Sequence, residues 1–272
     1  MRSKSKVLIG VLCSGEAEFS KCLDSIAFQE NVWTDHIVIK DKPNKEAHDE
    51  LYARFMSEAD KFDFFFKLDA DMVLKESNGL AQMVELVSRQ KAAHLMSYVF
   101  DHPSGLSIPG VQLFRSDSRW EGSSETLNVD YAPRITGKSI LAVTPNFVDH
   151  MLAPSEYQLF RYGIHKALKA NQYDRPSEKR DPKKGLLHTA ILNGIARNYC
   201  NGRLELVWAL IGAMLVQKRT IPPTGYNNEK TQDIFIDMKQ NKKQFQSAKS
   251  DAEKLFSNEI QSLFRWFVEF SR

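Results

Sequence analysis

A mostly parallel α/β sheet flanked by helices is the fold class that this chain predicts, and three observations predict it. Apolar, strand-like runs alternate with helix-period segments across residues 6–100. The first run, residues 6–13, is apolar at nearly every position, as in a strand covered on both faces in a parallel sheet. The third run, residues 62–68, leads straight into Asp69-Ala70-Asp71. Acidic residues at the carboxyl end of a strand stand where open α/β sheets receive their ligands.

Taken in order, the strand at residues 6–13 is followed by the turn Ser14-Gly15-Glu16. Residues 17–28 carry Phe19, Leu23 and Ile26 at helical spacing. A short β-branched strand at 35–40 leads into the polar, proline-containing loop 41–44. Residues 46–61 read as a helix with Leu51, Phe55 and Ala59 on one stripe, and 62–68 form the strand before the acidic pair. A helix at 79–90 and a strand at 92–100 complete this half. Strands separated by helices of this length imply crossover connections and hence parallel pairing.

Residues 103–120 change character, being rich in Gly, Pro and Ser, with a strand expected at 110–115. Residues 128–143 read as extended around Pro133 and Gly137, antiparallel material on the edge of the sheet. Helices are expected at 155–170, 186–198 and, fully buried, at 204–216. Between the first two, residues 173–184 read as a polar loop and a mobile lid. Pro222-Pro223 and Gly225-Tyr226-Asn227-Asn228 mark a boundary. Beyond it Ala252, Leu255, Phe256, Ile260, Leu263, Phe264, Phe267 and Phe270 form the stripe of an amphipathic helical extension. Such a helix packs on its own domain, makes a homodimer contact, or lies peripherally on a membrane surface.

With 272 residues the chain suits one large domain, or one domain with a terminal extension. Apolar residues at 42% and charged residues at 26% exclude wholesale disorder. A net charge of +3 is too small to suggest a dedicated nucleic-acid binder. Cys13, Cys22 and Cys200 are too few and too scattered for a disulfide framework or a zinc site, which points to a reducing cytoplasm. Arg2, Lys4 and Lys6 before a short apolar run suggest a secretion signal, but a first core strand accounts for that run better.

The chemistry concentrates at Asp69 and Asp71. Residues two apart on a strand share a face, so both carboxylates are placed to act on one ligand. Hard oxygen ligands suit Mg2+ or Mn2+ shared with substrate phosphates. Lys67, just before the pair, is expected to face away and offset charge.

With the order strand, helix, strand, acidic loop, helix, strand, D-x-D, residues 6–212 resemble the GT-A glycosyltransferases, in particular the bacterial family 2-like group. The resemblance implies a Rossmann-like domain over 1–220, with a nucleotide-sugar half at 1–100, an acceptor half at 101–220 and the extension at 221–272. It implies that Cys13, Gly15, Glu16 and Asp41 hold the base and ribose of a UDP- or GDP-linked sugar. Asp69 and Asp71 then bind ribose and metal, with a downstream histidine, His188 first and His165 second, as a further ligand. The acceptor is a glycan or lipid-linked molecule, and the setting is surface polysaccharide assembly at or near the inner face of the membrane.

An inverting transfer needs a general base. The family's Gly-Gly-Phe and Glu-Asp signatures are absent, which leaves Glu156 and Asp149 as counterparts, with Ser155 as a helix cap. Arg161, Lys183 and Lys184 are candidates for diphosphate contact. Two rival readings stand beside this one. A haloacid-dehalogenase-type phosphatase would use Asp69 as nucleophile, but its motif ends the first strand of the sheet rather than the third. The other is a non-catalytic nucleotide-sugar-binding domain.

Overall fold

The computed structural model describes residues 4–120, 137–142, 146–172, 179–221 and 229–270, with the side chains of 229 and 258–270 excepted. By contacts the chain divides into two compact units, one of residues 1–102 and 106–154, the other of 103–105 and 155–272.

The first unit holds the sheet. Its elements run β1 (Lys6–Cys13), α1 (Phe19–Ala27), β2 (Trp33–Lys40), α2 (Asn44–Ser57), β3 (Phe64–Asp69), β4 (Met72–Leu74), α3 (Gly79–Arg89), β5 (Ala92–Asp101), β6 (Leu106–Arg115), β7 (Lys138–Ala142) and β8 (Val148–His150). Eight strands form one sheet in the order β2-β1-β3-β6-β5-β8-β4, and β7 also pairs with β5. β1 is parallel to both β2 and β3, and β5 is parallel to β7 and β8. β6 inserts antiparallel between β3 and β5, and β4 closes antiparallel on β8. The α/β class with a mostly parallel sheet is thus the observed one.

The two faces of β3 show how the core leads into the strand end. Leu8 and Phe65 are register partners and sit in a cluster with Leu51, Tyr52, Phe55, Phe114 and Trp120. Phe55 and Phe65 stack with ring centroids 4.9 Å apart, and Tyr52 stacks on Trp120 at 5.0 Å. Aromatic pairs of this kind add about 0.5–1.5 kcal/mol beyond area burial. By the two-residue strand period, Lys67 and Asp69 follow Phe65 on this same face. Phe64, Phe66 and Leu68 are buried on the other.

Two short strands escape a sequence reading. β4 and β8 have three residues each, too few for a period to register, and pairing with distant strands defines them, β4 with β8 and β8 with both β4 and β5. Hydrogen bonds fasten β4 to α1, with Leu74 N–H donating to Ser25 Oγ at 3.1 Å. Gln29 likewise joins the end of α1 to the start of α3 by donating to Glu76 O and accepting from Leu80 N–H.

The second unit is helical: α4 (Glu156–Asn171), α5 (Pro182–Cys200), α6 (Val207–Gln217), α7 (Glu229–Gln240) and α8 (Lys242–Phe270). Ser155 caps α4 in a capping box with Gln158, as expected. α5 starts earlier than expected, because Pro182 suits the first helical turn and Asp181 caps it. Lys183 and Lys184 therefore stand on a helix and not on a lid loop, and residues 173–178 of that loop lie outside the described residues. The expected helix at 204–216 opens with a 3-10 turn at Leu204–Leu206 before α6 begins.

α4 and α6 cross with almost no space between their backbones. A Cβ on Gly163 would fall 1.8 Å from Ala209 O, and one on Gly212 would fall 2.3 Å from Phe160 O. Trp208 of α6 lies 4.8 Å from Phe235 of α7 and 4.9 Å from Phe245 of α8, ring centre to ring centre. Ala252 and Phe256 of the apolar stripe are buried, so this part of the extension packs on its own unit. The stripe's remainder from Ile260 onward lies outside the described side chains. Among the described residues no helix is long and apolar enough to cross a membrane.

Gly163→Ala pushes a methyl group into a backbone carbonyl that has no rotamer to yield. It should destabilise by at least the ~1–3 kcal/mol of ordinary overpacking, read as a lower urea midpoint by far-UV circular dichroism.

Candidate functional site

The register of the parallel strands gathers the predicted residues at one edge. Leu12 of β1 pairs with Asp69 of β3, and Cys13 pairs with Lys40 of β2. Backbone bonds continue past the strands: Asp41 N–H donates to Cys13 O at 3.0 Å and Ala70 N–H to Leu12 O at 2.9 Å. Cys13, Asp41 and Asp69 therefore end three adjacent strands side by side.

Each loop leaving this edge is locally shaped. Gly15 has φ +90°, and a Cβ there would meet nothing within 4 Å, so glycine serves the backbone turn and leaves the space above it open. Glu16 folds back over Ser14 and accepts from its N–H at 2.5 Å and its hydroxyl at 2.6 Å. Asp41 has φ 54°, a conformation that aspartate tolerates better than most side chains. Lys40 lays its ammonium 4.4 Å from the centre of the Phe19 ring, joining the end of β2 to the start of α1. Glu18, buried and missed in the sequence reading, accepts from Ala153 N–H at 3.0 Å and so ties the loop after β1 to the segment after β8.

The acidic pair differs from the expected geometry in two respects. β3 ends at Asp69, and Asp71 belongs to the turn before β4, so the strand period does not extend across the pair. Lys67 does not face away: its Nζ lies 3.3 Å from Asp69 Oδ1 in a buried position. The strand period explains this, since residues 67 and 69 are themselves two apart.

Asp71 is held by a residue that the sequence reading overlooked. His150 on β8 places Nε2 3.4 Å from Asp71 Oδ2, and its Nδ1 is 2.6 Å from Oδ1 of Asp101, which is fully buried. Pairing of β8 with both β4 and β5 makes this arrangement, because His150 is the register partner of Met72 and of Asp101. Met151 N–H also donates to Asp71 O at 2.8 Å. Burial alone would lower the imidazole pKa, but the charge of Asp71 and the hydrogen bonds to Asp101 and Asp71 outweigh it and raise the pKa to about 10. His150 is a cation at neutral pH.

Negative potential converges on the same place. Burial, followed by the charges of Asp71, Asp69, Cys13 and Glu16, pushes the Cys22 thiol up to about 12. The Cys13 thiol is raised by burial and, less strongly, by Glu16. Among the described residues, however, no three His, Cys, Asp or Glu side chains are already gathered as a metal cage. Oxygens of a substrate would have to complete a coordination shell.

The two candidate bases are both engaged in ion pairs. Asp149 Oδ1 lies 3.2 Å from His102 Nε2 and 3.5 Å from Lys75 Nζ. Glu156 opens α4 in the second unit, where Lys239 Nζ lies 2.6 Å from its Oε2.

His188 and His165 also belong to the second unit. Burial and the charges of Lys166, Lys169 and Lys184 press His188 down to about 2. Burial and neighbouring cations hold His165 well below the usual imidazole range. Both rings are neutral, and the surrounding ammonium groups oppose the arrival of another cation. Arg161 lies over the Tyr157 ring, and Lys183 and Lys184 donate their backbone N–H groups to Asp181.

No protein-family model matches the chain, and no curated protein matches it in sequence. Among solved structures it is similar to A197 from STIV, at 15% identity and a TM-score of 0.26 over 34% of this chain and 46% of A197. The chain thus spans less than half the length of A197. It is also similar to residues 1–349 of TarS from S. aureus, at 9% identity and a TM-score of 0.36, covering 76% of this chain and 80% of that one. A third is the mannosyltransferase PcManGT from Pyrobaculum calidifontis in complex with GDP-Man and Mn2+, at 12% identity and a TM-score of 0.39. That match covers 94% of this chain and 86% of PcManGT.

The charge on His150 gives the metal-free protein a defined pH response. A histidine whose folded pKa exceeds its unfolded value stabilises fully below the unfolded pKa and loses that contribution as pH rises through the folded one. Thermal midpoints should therefore fall as pH rises from about 6.5 toward about 10. In His150→Gln that alkaline slope should flatten, starting from a lower midpoint.

Proposed function

We propose that the protein is a metal-dependent glycosyltransferase that moves a sugar from a nucleotide-sugar to a glycan or lipid-linked acceptor. The observation that carries this reading is the in-register convergence of three parallel strand ends bearing Cys13, Asp41 and Asp69. Such an edge suits a nucleoside, with the open turn at Gly15 leaving room and the carboxylates of Glu16 and Asp41 able to accept from base and ribose. Asp69 and Asp71 would hold Mn2+ or Mg2+ together with the donor's diphosphate. When bound there, such an ion supplies charge stabilisation to a departing phosphate.

The chain's own groups have separable tasks in this reading. Asp69 and Asp71 orient the diphosphate. Lys67, released from Asp69, is a second positive charge for a phosphate oxygen. Asp149 and Glu156 remain the candidate bases, each needing to leave its ion pair before it can accept a proton. UDP and GDP are the nucleotides to try first, and surface polysaccharide assembly is the setting in which to seek the acceptor. The phosphatase reading gains nothing from the structure's order of strands, since Asp69 ends the third strand in sequence and two complete strand–helix units precede it.

A calorimetric screen of nucleoside diphosphates and their sugars, with and without Mn2+, tests the assignment. Binding of a nucleoside diphosphate that strengthens with Mn2+ is expected, and the absence of any nucleotide binding would overturn it. Asp69→Asn and Asp71→Asn should each lower metal-dependent turnover by at least about 100-fold while the circular dichroism spectrum is retained. Turnover indifferent to chelator would count against the metal.

A further inference from the structure

We propose that the groove between α6, α7 and the start of α8 is a binding site for a single-chain amphiphile, an apolar chain ending in one anionic head. The groove lies wholly within the helical second unit, and its ligand stands apart from the sugar-transfer reading.

The groove has a plain origin in the sequence. Trp208, Phe235 and Phe245 bring the three helices together through ring contacts of 4.8 and 4.9 Å. Met214 stands six residues beyond Trp208, about 9 Å further along α6 at the helical rise. Facing this stretch, α8 offers only Ser247 and Ala248, side chains too short to fill the space. What remains is a groove of about 630 Å3, within the ~300–1,000 Å3 of sites that take small ligands. Its apolar wall is Met214 and Leu215 of α6, Ile234 and Met238 of α7, and Ala248 of α8. Met214 and Met238 are buried, and unbranched thioether side chains adapt to the outline of an apolar guest.

Charge selects the head group. The lining carries two ammonium groups, Lys218 and Lys243, against one carboxylate, Asp251. Lys218 Nζ donates to Asp251 Oδ2 at 2.6 Å, so these two satisfy each other. Lys243 is exposed and has no ion-pair partner among the described residues. It stands beside Lys242 in the first turn of α8, a turn with no acidic residue. A helix N-terminus is itself partly positive, so two lysines there repel it, and an arriving anion relieves that repulsion. Asn241 Oδ1 caps the turn by accepting from Gln244 N–H at 3.1 Å, which leaves Lys243 as the uncompensated charge of the groove.

An apolar wall that ends on an uncompensated ammonium matches a ligand with an apolar tail and an anionic head. Free phosphate would use the ammonium and leave the wall empty, and a single exposed lysine holds such an ion weakly. A cationic head would meet repulsion from Lys243.

Calorimetric titration of the full chain with dodecyl phosphate below its micelle concentration tests the site. One-to-one binding is expected, with no binding of inorganic phosphate at the same concentrations. Dodecyltrimethylammonium should bind at least about 10-fold more weakly, the worth of one charge-assisted contact. Lys243→Glu should weaken dodecyl phosphate binding by at least about 10-fold on the same ground. Ala248→Trp fills the groove and should abolish binding while the far-UV circular dichroism spectrum is retained. No one-to-one binding, equal affinity for the two amphiphiles, or full affinity in Lys243→Glu or in folded Ala248→Trp would each overturn the assignment. Binding to phosphatidylglycerol vesicles without binding of monomeric dodecyl phosphate would make this face a membrane contact and overturn it as well. The head-group comparison and the exposed Lys243→Glu decide the matter even if Ala248→Trp fails to fold. Nucleotide binding at the strand edge is read in a separate titration, so either assignment can fail without the other.

Discussion

The interaction on which the functional edge depends is the buried imidazolium of His150 between Asp101 and Asp71. Asp101 is wholly removed from water, and an isolated carboxylate there would carry a desolvation penalty of several kcal/mol. His150 supplies the compensating charge and the hydrogen bond. The pairing works only if β8 lies between β5 and β4, so the charge requirement and the strand order specify one another. Removing either partner would leave a buried charge uncompensated, typically a loss of about 3–5 kcal/mol. The turn bearing Asp71 is thus anchored through its side chain to β8, while Met151 N–H holds its carbonyl.

The parallel half of the fold was readable because its signals are long. β1 spans eight residues, apolar at every position after Lys6 except Gly10 and buried from Val7 to Val11, and the structure has it at Lys6–Cys13 as expected. α2 and α3 announce themselves by apolar stripes, and Asp69 stands where an apolar strand gives out. Ser155 could be read as a cap because its hydroxyl and Gln158 obey a local rule. Each of these depends on residues close together in the chain.

What was not readable depends on distant partners. β4 is a strand only by virtue of β8, whose His150 pairs with Met72 from 78 positions away, and β8 in turn is held by β4 and β5. His150 offers no motif in its own neighbourhood, and Asp101 reads simply as the polar end of a strand. Glu18 looks like a helix-start acid, yet it accepts from a residue 135 positions away. The near-contact of Gly163 with Ala209 is equally invisible, because a glycine inside a helix registers in sequence only as a weak point. Lys67 and Asp69, two apart on β3, share a face by the strand period alone, so their contact was legible in the sequence and the expectation that Lys67 faces away runs against that period.

Charge compensation recasts the acidic pair. A sequence reading counts Asp69, Asp71 and Asp149 as free carboxylates waiting for a ligand. In the fold each has a cationic neighbour: Lys67 beside Asp69, His150 beside Asp71, and Lys75 beside Asp149. A divalent ion held by these carboxylates, as the proposed function requires, would have to displace the ammonium of Lys67 at Asp69 and compete with the imidazolium of His150 at Asp71. Such exchange would cost affinity for the ion alone, and the diphosphate of the proposed donor would restore it by offering oxygens to the ion and a new partner to Lys67. On this reading ion and nucleotide each improve the site for the other, a reciprocal coupling that follows from the same pairs that keep the empty edge stable.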